Sequence, residues 1–378
     1  MIRVVLCTDG VFPHAVGGMQ RHSRLLAEHL AATGRVELTV IHPHAAPLFD
    51  PALKIHEIVV APIDTTKLYL AELWRYSDRV AEVLKGLDAA VIISQGFCVW
   101  KDIDLFRERL VVHPHGLEML QAMGVREKLV NVPFRYLLRY VTRRSRYVVS
   151  LGGRLTRMLE DVTRGSGSTV VTIPNAVEVP NAMVPYAPKD SPMRLLFVGR
   201  FAFNKGLDVL MSVARRLEKE GNTDVVFDLA GGGPLLATYQ SMGLPGNVNL
   251  LGRVDDERLF RSYEECDAFL LPTRFEGMPT VVLEAMARSR PIFVSDVGAT
   301  AELVDKHNGY LLPKGDADAL YKAVVEFSRS PVERRRSMAR ASWERAADRF
   351  QWRKVTTEFV RLAERVNEGR APSVNSNT

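Results

Sequence analysis

Short apolar runs recur along the chain, separated by loops bearing glycine or proline and by stretches with helical spacing. In the first half the runs are residues 4–7, 38–41, 91–93, 110–112 and 147–149; in the second they include 195–198, 268–271 and 291–295. Runs of three to five apolar residues without polar alternation suit strands covered on both faces. Strands that alternate with helices imply mostly parallel sheets, because parallel neighbours need a crossover between them. At 378 residues the chain is long enough for two or three such units. Apolar residues make up 47% and charged residues 25%, enough to bury sizeable cores.

One stretch dominates the second half: Phe275-Glu276-Gly277-Met278-Pro279-Thr280-Val281-Val282-Leu283-Glu284-Ala285-Met286-Ala287. The strand at 268–271 ends in Pro272-Thr273-Arg274, Gly277 and Pro279 interrupt the chain, and a helix is expected to start near Thr280. Proline fits a first helical turn, where its missing N–H has no partner. The N–H groups of 277–281 then sit at a strand's carboxyl end and form a ready phosphate site. Glu276 on the loop lies toward the reacting end. Glu284, a turn into the helix, lies toward neighbouring hydroxyls. Upstream, Val198-Gly199-Arg200 ends a strand and Lys205-Gly206-Leu207-Asp208 opens a helix. A cation at each of those points suits a diphosphate.

The first half opens in the same way. The strand at 4–7 leads into Gly10-Val11-Phe12-Pro13-His14-Ala15-Val16-Gly17-Gly18 and then a helical pattern over 19–30. This is the opening unit of a nucleotide-binding α/β domain, without a G-x-G-x-x-G fingerprint. The run at 110–112 ends in His113-Pro114-His115-Gly116-Leu117-Glu118. His-x-His suggests zinc, but no third ligand stands at a recognisable spacing, so no metal site is expected.

These residues resemble the retaining glycosyltransferases of the GT-B fold, glycosyltransferase group 1 or family 4. Glu276 and Glu284 resemble that family's E-x7-E signature. Val198-Gly199-Arg200 with Lys205-Gly206 resembles its donor-diphosphate motif, and Gly17-Gly18-Met19-Gln20-Arg21-His22 its loop over donor phosphate and acceptor. His115-Gly116 resembles its sugar-contacting histidine. Ile173-Pro174-Asn175-Ala176 resembles an I-P-N-G segment with alanine in place of glycine. Gly231-Gly232-Gly233-Pro234 departs from the family's G-D/E-G-P. The likeness covers nearly the whole chain and is most specific over 195–312.

The resemblance implies two Rossmann-like α/β domains facing a central cleft: 1–180 binding the acceptor and 181–350 binding the nucleotide-sugar. A helix at 351–368 would pack back on the first domain, and 369–378 would be a disordered tail. It implies retaining transfer of a sugar from a nucleotide-diphosphate donor to a hydroxyl of a glycan or lipid-linked acceptor, as in cell-envelope assembly. Glu276, His115, Arg200 and Lys205 are the catalytic candidates. Gly17, Gly18, Arg200, Lys205, Arg253, Glu276, Gly277, Met278, Pro279, Thr280 and Glu284 are the donor-binding candidates. No cofactor beyond the donor is expected, since no Asp-x-Asp stands near the diphosphate residues. Rival readings are a sugar-nucleotide epimerase, a transferase with a soluble small acceptor, and a binding protein that has lost its chemistry.

Charge bears on partners. The net charge of +6 is mild and does not point to nucleic acid. Residues 126–146 alone carry an excess of +6, with Arg126, Lys128, Arg135, Arg139, Arg143, Arg144 and Arg146 against Glu127. Interleaved Leu137, Leu138 and Val141 make this a basic amphipathic helix, either core-packed with a solvated face or resting on anionic lipid. Cys7, Cys98 and Cys266 sit in or beside apolar runs and read as reduced core residues. No run reaches membrane-spanning length, and Met1-Ile2-Arg3 leads straight into a strand. The expected location is cytoplasmic, peripheral on the inner face of the cell membrane.

Overall fold

A computed structural model describes residues 1–15, 17–121, 124–187 and 192–369, the side chains of 125–127 excepted. Val16 of the glycine loop, Arg126 and Glu127 as side chains, part of the proline-rich segment and the tail expectation at 370–378 therefore lie outside the described residues. The chain divides into two compact units, 1–175 with 352–378, and 176–351.

The first unit holds seven strands: β1 (Ile2–Cys7), β2 (Val36–His42), β3 (His56–Val59), β4 (Val91–Gln95), β5 (Leu110–His113), β6 (Tyr147–Ser150) and β7 (Thr169–Thr172). Every neighbouring pair is parallel, in the order β3-β2-β1-β4-β5-β6-β7. Its helices are α1 (Gly18–Ala32), α2 (Tyr69–Lys85), α3 (Val125–Val130), α4 (Val132–Thr142) and α5 (Arg154–Thr163). Leu73, Tyr76, Val80 and Leu84 of α2 share one core with Leu137 and Val141 of α4 and with Val5, Ile92 and Val112 of the sheet. Each such side chain contributes about 1.5–3 kcal/mol by leaving water. The sheet order reverses between β1 and β4, so the loops leaving those strands flank the crevice where doubly wound sheets bind ligands.

Residues 126–146 do not form one helix. The chain breaks at Asn131 because Pro133, in the first turn of α4, has no N–H to continue α3. Leu137, Leu138 and Val141 are buried, as a core-packed helix requires. Three of the described cations have partners within the unit. Arg135 Nε donates to the Met119 carbonyl at 2.7 Å. Arg143 caps the end of α5 through the carbonyls of Val162 and Arg164 at 3.1 and 2.8 Å. Arg144 pairs with Asp104 at 3.5 Å and stacks on Tyr140.

The second unit holds β8 (Met193–Val198), β9 (Val225–Ala230), β10 (Val248–Gly252), β11 (Ala268–Leu271), β12 (Ile292–Ser295) and β13 (Gly309–Leu312). They are all parallel, in the order β10-β9-β8-β11-β12-β13, with the reversal between β8 and β11. Helices α6 (Leu207–Lys219), α7 (Leu236–Ser241), α8 (Asp256–Glu265), α9 (Thr280–Ala287), α10 (Thr300–Leu303), α11 (Ala317–Ser328) and α12 (Val332–Arg345) belong to it. Residues 316–349, whose sequence reads as helical throughout, are split: Pro331 ends the first segment, and a π-helical turn, Ala346–Phe350, follows α12. Residues 177–192 hold Pro180, Pro185, Pro188 and Pro192 and read in the sequence as an interdomain linker, but the described part is partly packed. The Tyr186 hydroxyl donates to the Asp267 carbonyl at 2.9 Å, and the buried Arg290 guanidinium donates to the Pro185 carbonyl at 3.1 Å. The last helix, α13 (Trp352–Glu368), belongs to the first unit. It buries Trp352, Val355, Phe359, Val360, Ala363 and Val366 at helical spacing, against α1 and β1. All three cysteines are buried and unbonded.

Candidate active site

In the second unit the candidate residues gather at the β8/β11 reversal. Gly206 caps α6 in the left-handed region, φ +69°, and a Cβ there would lie 1.8 Å from the Pro272 carbonyl oxygen. Only glycine lets the start of α6 approach the exit of β11 so closely. The two loops are then stitched together. Arg274 N donates to the Asn204 carbonyl at 2.7 Å, and its guanidinium makes a two-pronged pair with Asp208 at 2.7 and 2.5 Å. That guanidinium also donates to the Phe203 carbonyl at 2.8 Å. Burial pushes the Asp208 carboxyl up, but the bonds and charge of Arg274 outweigh it and hold it below its ordinary value.

This stitching brings Lys205 Nζ to 2.5 Å from Glu276 Oε1. The side chains are only 21% and 11% exposed, so the pair is poorly screened. The Thr273 hydroxyl lies 3.0 Å from the same oxygen and 2.8 Å from the Asn204 carbonyl, and its one hydrogen serves one of them at a time. Gly298, φ +56°, abuts the other side of the loop, where a Cβ would be 2.2 Å from the Glu276 carbonyl oxygen. Helix α9 starts at Thr280 with Pro279 as its N-cap, one position earlier than a first-turn proline. Met278 and Pro279 are buried and Gly277 and Thr280 half-buried.

Glu284 is buried, and the Tyr263 hydroxyl on α8 donates to its Oε2 at 2.9 Å. Burial first, then the Glu284 charge, raise the phenol well above its usual value and keep it a donor. Arg200, just past β8, and Arg253, just past β10, are exposed. The loops that carry them interlock, since Phe201 N donates to Gly232 O at 2.9 Å and Gly231 N to Gly252 O at 2.7 Å. Arg200 and Lys205, expected as a joint clamp, differ in surroundings: Lys205 is paired with Glu276, and Arg200 is open to solvent.

In the first unit, Gly17 caps α1 in an extended conformation and Gly18 is its first residue. Gln20 donates to Asp9 Oδ1 at 3.1 Å; burial raises the Asp9 carboxyl and this bond partly offsets it. His115 follows β5 in the left-handed region, φ +59°, with Nε2 bonded to Gln95 Oε1. Its ring stacks on His113, centroids 3.9 Å apart, and His22 of α1 stands edge-on to both at 5.1 Å. Burial lowers His22 to about 4 and, with the neighbouring imidazoles, holds His113 and His115 well below the usual range. Among the described residues no group of three His, Cys, Asp or Glu is placed to hold a metal ion.

Sequence reasoning assigned no role to Thr273, Arg274, Asp208 or His22, which stand in the quoted stretches, and did not mark Tyr263 or Gln95 at all. Arg274 stands next to the central stretch and was the one that proximity could have flagged. The others acquire partners through folding alone.

The family model described as Glycosyltransferase Family 4 matches residues 16–179, and that described as Glycosyl transferases group 1 matches 192–330. Over 207 residues, the chain is 31% identical to a phosphatidyl-myo-inositol mannosyltransferase of Mycobacterium leprae, covering 53% of this chain and 54% of that protein. The alignments to the first three curated relatives cover 65%, 37% and 54% of those proteins' lengths. Among solved structures, a sucrose-phosphate synthase of Thermosynechococcus elongatus superposes with a TM-score of 0.80 at 19% identity, covering 97% of this chain and 99% of that one. Anabaena HepE in complex with UDP and glucose superposes with a TM-score of 0.66 at 16% identity, over 97% and 100%. With two parallel doubly wound sheets and matches over both halves, the chain belongs to the group 1, family 4 glycosyltransferases of the GT-B fold.

Proposed function

We propose that this protein transfers a sugar, with retention, from a nucleoside-diphosphate donor to a hydroxyl of a glycan or lipid-linked acceptor of the cell envelope. The observation that carries the reading is the Lys205–Glu276 pair beside the start of α9, at the reversal point of the second sheet. The departing diphosphate is an anion, and a site that speeds its departure places fixed positive charge there. Arg200, Lys205 and the first N–H groups of α9 supply it. Glu276 is assigned to the donor sugar and its developing positive charge, Glu284 to the ribose hydroxyls, and His115 to the transferred sugar. Donor choice draws support from HepE, solved with UDP and glucose, and a lipid-linked acceptor from the mannosyltransferase relative. The test is radiolabelled transfer from a panel of nucleotide-sugars into glycan and lipid fractions. Label in either fraction, lost in Glu276→Gln, is expected; donor conversion to an epimer without transfer contradicts the reading.

Reaching a lipid acceptor requires contact with the bilayer surface. Among the described residues no helix is long and apolar enough to cross a membrane. Leu129 and Val130 of α3 and Val132 and Tyr136 of α4 are exposed apolar side chains, with Lys128 and Arg139 exposed beside them. We assign peripheral binding to this face. Two cations near an anionic surface give about 1 kcal/mol each, so binding is weak and salt-sensitive. Wild type is expected to sediment with anionic vesicles at low salt and the Lys128→Gln/Arg139→Gln variant much less; equal behaviour contradicts membrane contact by this face.

A further inference from the structure

The strand ends of the first unit carry more than His115. Gln95, the last residue of β4, is fully buried, as is His113, the last of β5, and His22 of α1 is nearly so. Trp352 and Phe359 of α13 close the cluster, with ring centroids 5.5 and 6.3 Å from that of His22. Several polar atoms here have no partner: Gln95 Nε2, His22 Nε2 and both ring nitrogens of His113. Unpartnered buried polar atoms are unfavourable, and apolar side chains of similar shape would fill the space without them. Such a cluster is uncommon enough to point to a role besides packing.

The bond between Gln95 and His115 supplies that role. An amide oxygen only accepts, so the Nε2 of His115 facing Gln95 Oε1 carries the hydrogen, and Nδ1 is the ring's acceptor. The ring is backed by His113 in a near-parallel stack, 22° between planes, and held edge-on by His22. Its backbone is in a conformation that a non-glycine residue rarely adopts, so the surroundings fix its position. We propose that Gln95 is the positioning residue of His115: it fixes the tautomer and plane of the imidazole, so that Nδ1 meets a hydroxyl of the transferred sugar as an acceptor. The inference rests on the assignment of His115 to that sugar. The groups packed against the ring favour its neutral form. They are the imidazoles of His22 from α1 and His113 from β5 and the uncharged Gln95 from β4, with Phe359 of α13 against His22 and His113; the nearest acid along the loop, Glu118, lies over Gly116.

The test uses the full chain labelled with 15N-histidine, with long-range proton–nitrogen correlation reporting each tautomer and His115→Asn identifying the His115 signals. Wild type is expected to show His115 as the Nε2–H tautomer. Gln95→Met removes the acceptor, so the signal is expected to become a tautomer mixture while kcat falls about 10- to 100-fold, the loss seen when the orienting partner of a metal-bound imidazole is removed. Gln95→Glu keeps an acceptor and adds a negative charge; it is expected to retain the Nε2–H form and to move the acid limb of the pH–rate profile to higher pH. An unchanged tautomer in Gln95→Met, or an unmoved acid limb in Gln95→Glu, overturns the positioning role. If His115→Asn retains full activity, the assignment of His115 to the sugar fails, an outcome distinct from failure of the positioning role.

Discussion

Lys205 and Glu276 are 71 positions apart and meet at 2.5 Å. An ion pair this close places a positive charge beside the carboxylate assigned to the sugar, so Lys205 has two neighbours to serve when a diphosphate enters. Lys205→Ala and Arg200→Ala are each expected to lower turnover by roughly 10²–10³, the loss seen when one charge-stabilising donor is removed. Near-normal turnover in both would contradict the diphosphate assignment. At Glu284 the partner is Tyr263, fully buried on α8. Tyr263→Phe is expected to lower stability by about 1.5–3 kcal/mol, as loss of a hydrogen bond to a charged group does. It is also expected to raise the donor KM more than it lowers kcat; thermal unfolding and steady-state kinetics check both. Glu276, the cations and His115 were readable in the sequence because each sits next to a glycine or proline in a loop between elements, and Glu284 because of its fixed spacing from Glu276. Tyr263, Gln95 and the pairing of Arg274 with Asp208 were not, because even where a residue stands beside a motif, as Arg274 does, nothing local names the partner that the sheet brings to it.

Elements were readable where both faces are covered. Strands β4 and β11 are buried along their whole length; β11 appears as an unbroken apolar run, and β4 as one that ends in the buried polar Ser94 and Gln95. Strand β3, at the sheet edge, has exposed ends and a half-buried middle, contains His56 and Glu57, and left no such run. Two long helical patterns concealed breaks at Asn131 and Pro331, since periodicity survives a proline better than the backbone hydrogen bonds do. Glycine conformation at helix ends gives a test at this scale. Gly206 and Gly221 flank α6 with φ near +70°, yet a Cβ at Gly206 meets the Pro272 carbonyl oxygen and one at Gly221 meets nothing within 4 Å. Gly221→Ala carries the conformational strain alone, about 1 kcal/mol. Gly206→Ala is expected to cost considerably more and to lower activity by separating Lys205 from Glu276. Equal melting temperatures for the two variants would contradict the close approach of α6 to β11.

For the molecule as a whole, pH enters through the buried histidines. His22 falls to about 4 in the folded chain, against about 6.5 unfolded. Between those values the unfolded chain binds more protons, so stability rises with pH there and is lost as pH falls from 6.5 toward 4. Melting temperature is expected to drop over that window, less steeply in His22→Gln; parallel curves would contradict burial of a neutral His22. Activity is expected to survive EDTA, because the charges assigned to the diphosphate are Arg200, Lys205 and the α9 N–H groups; loss on chelation restored by Mg²⁺ or Mn²⁺ would contradict that assignment. Retaining transfer is tested most directly by the anomeric proton of the product. With an α-linked nucleoside-diphosphate sugar as donor, its NMR coupling is predicted to be that of an α-linkage, and the coupling of a β-linkage would contradict the account.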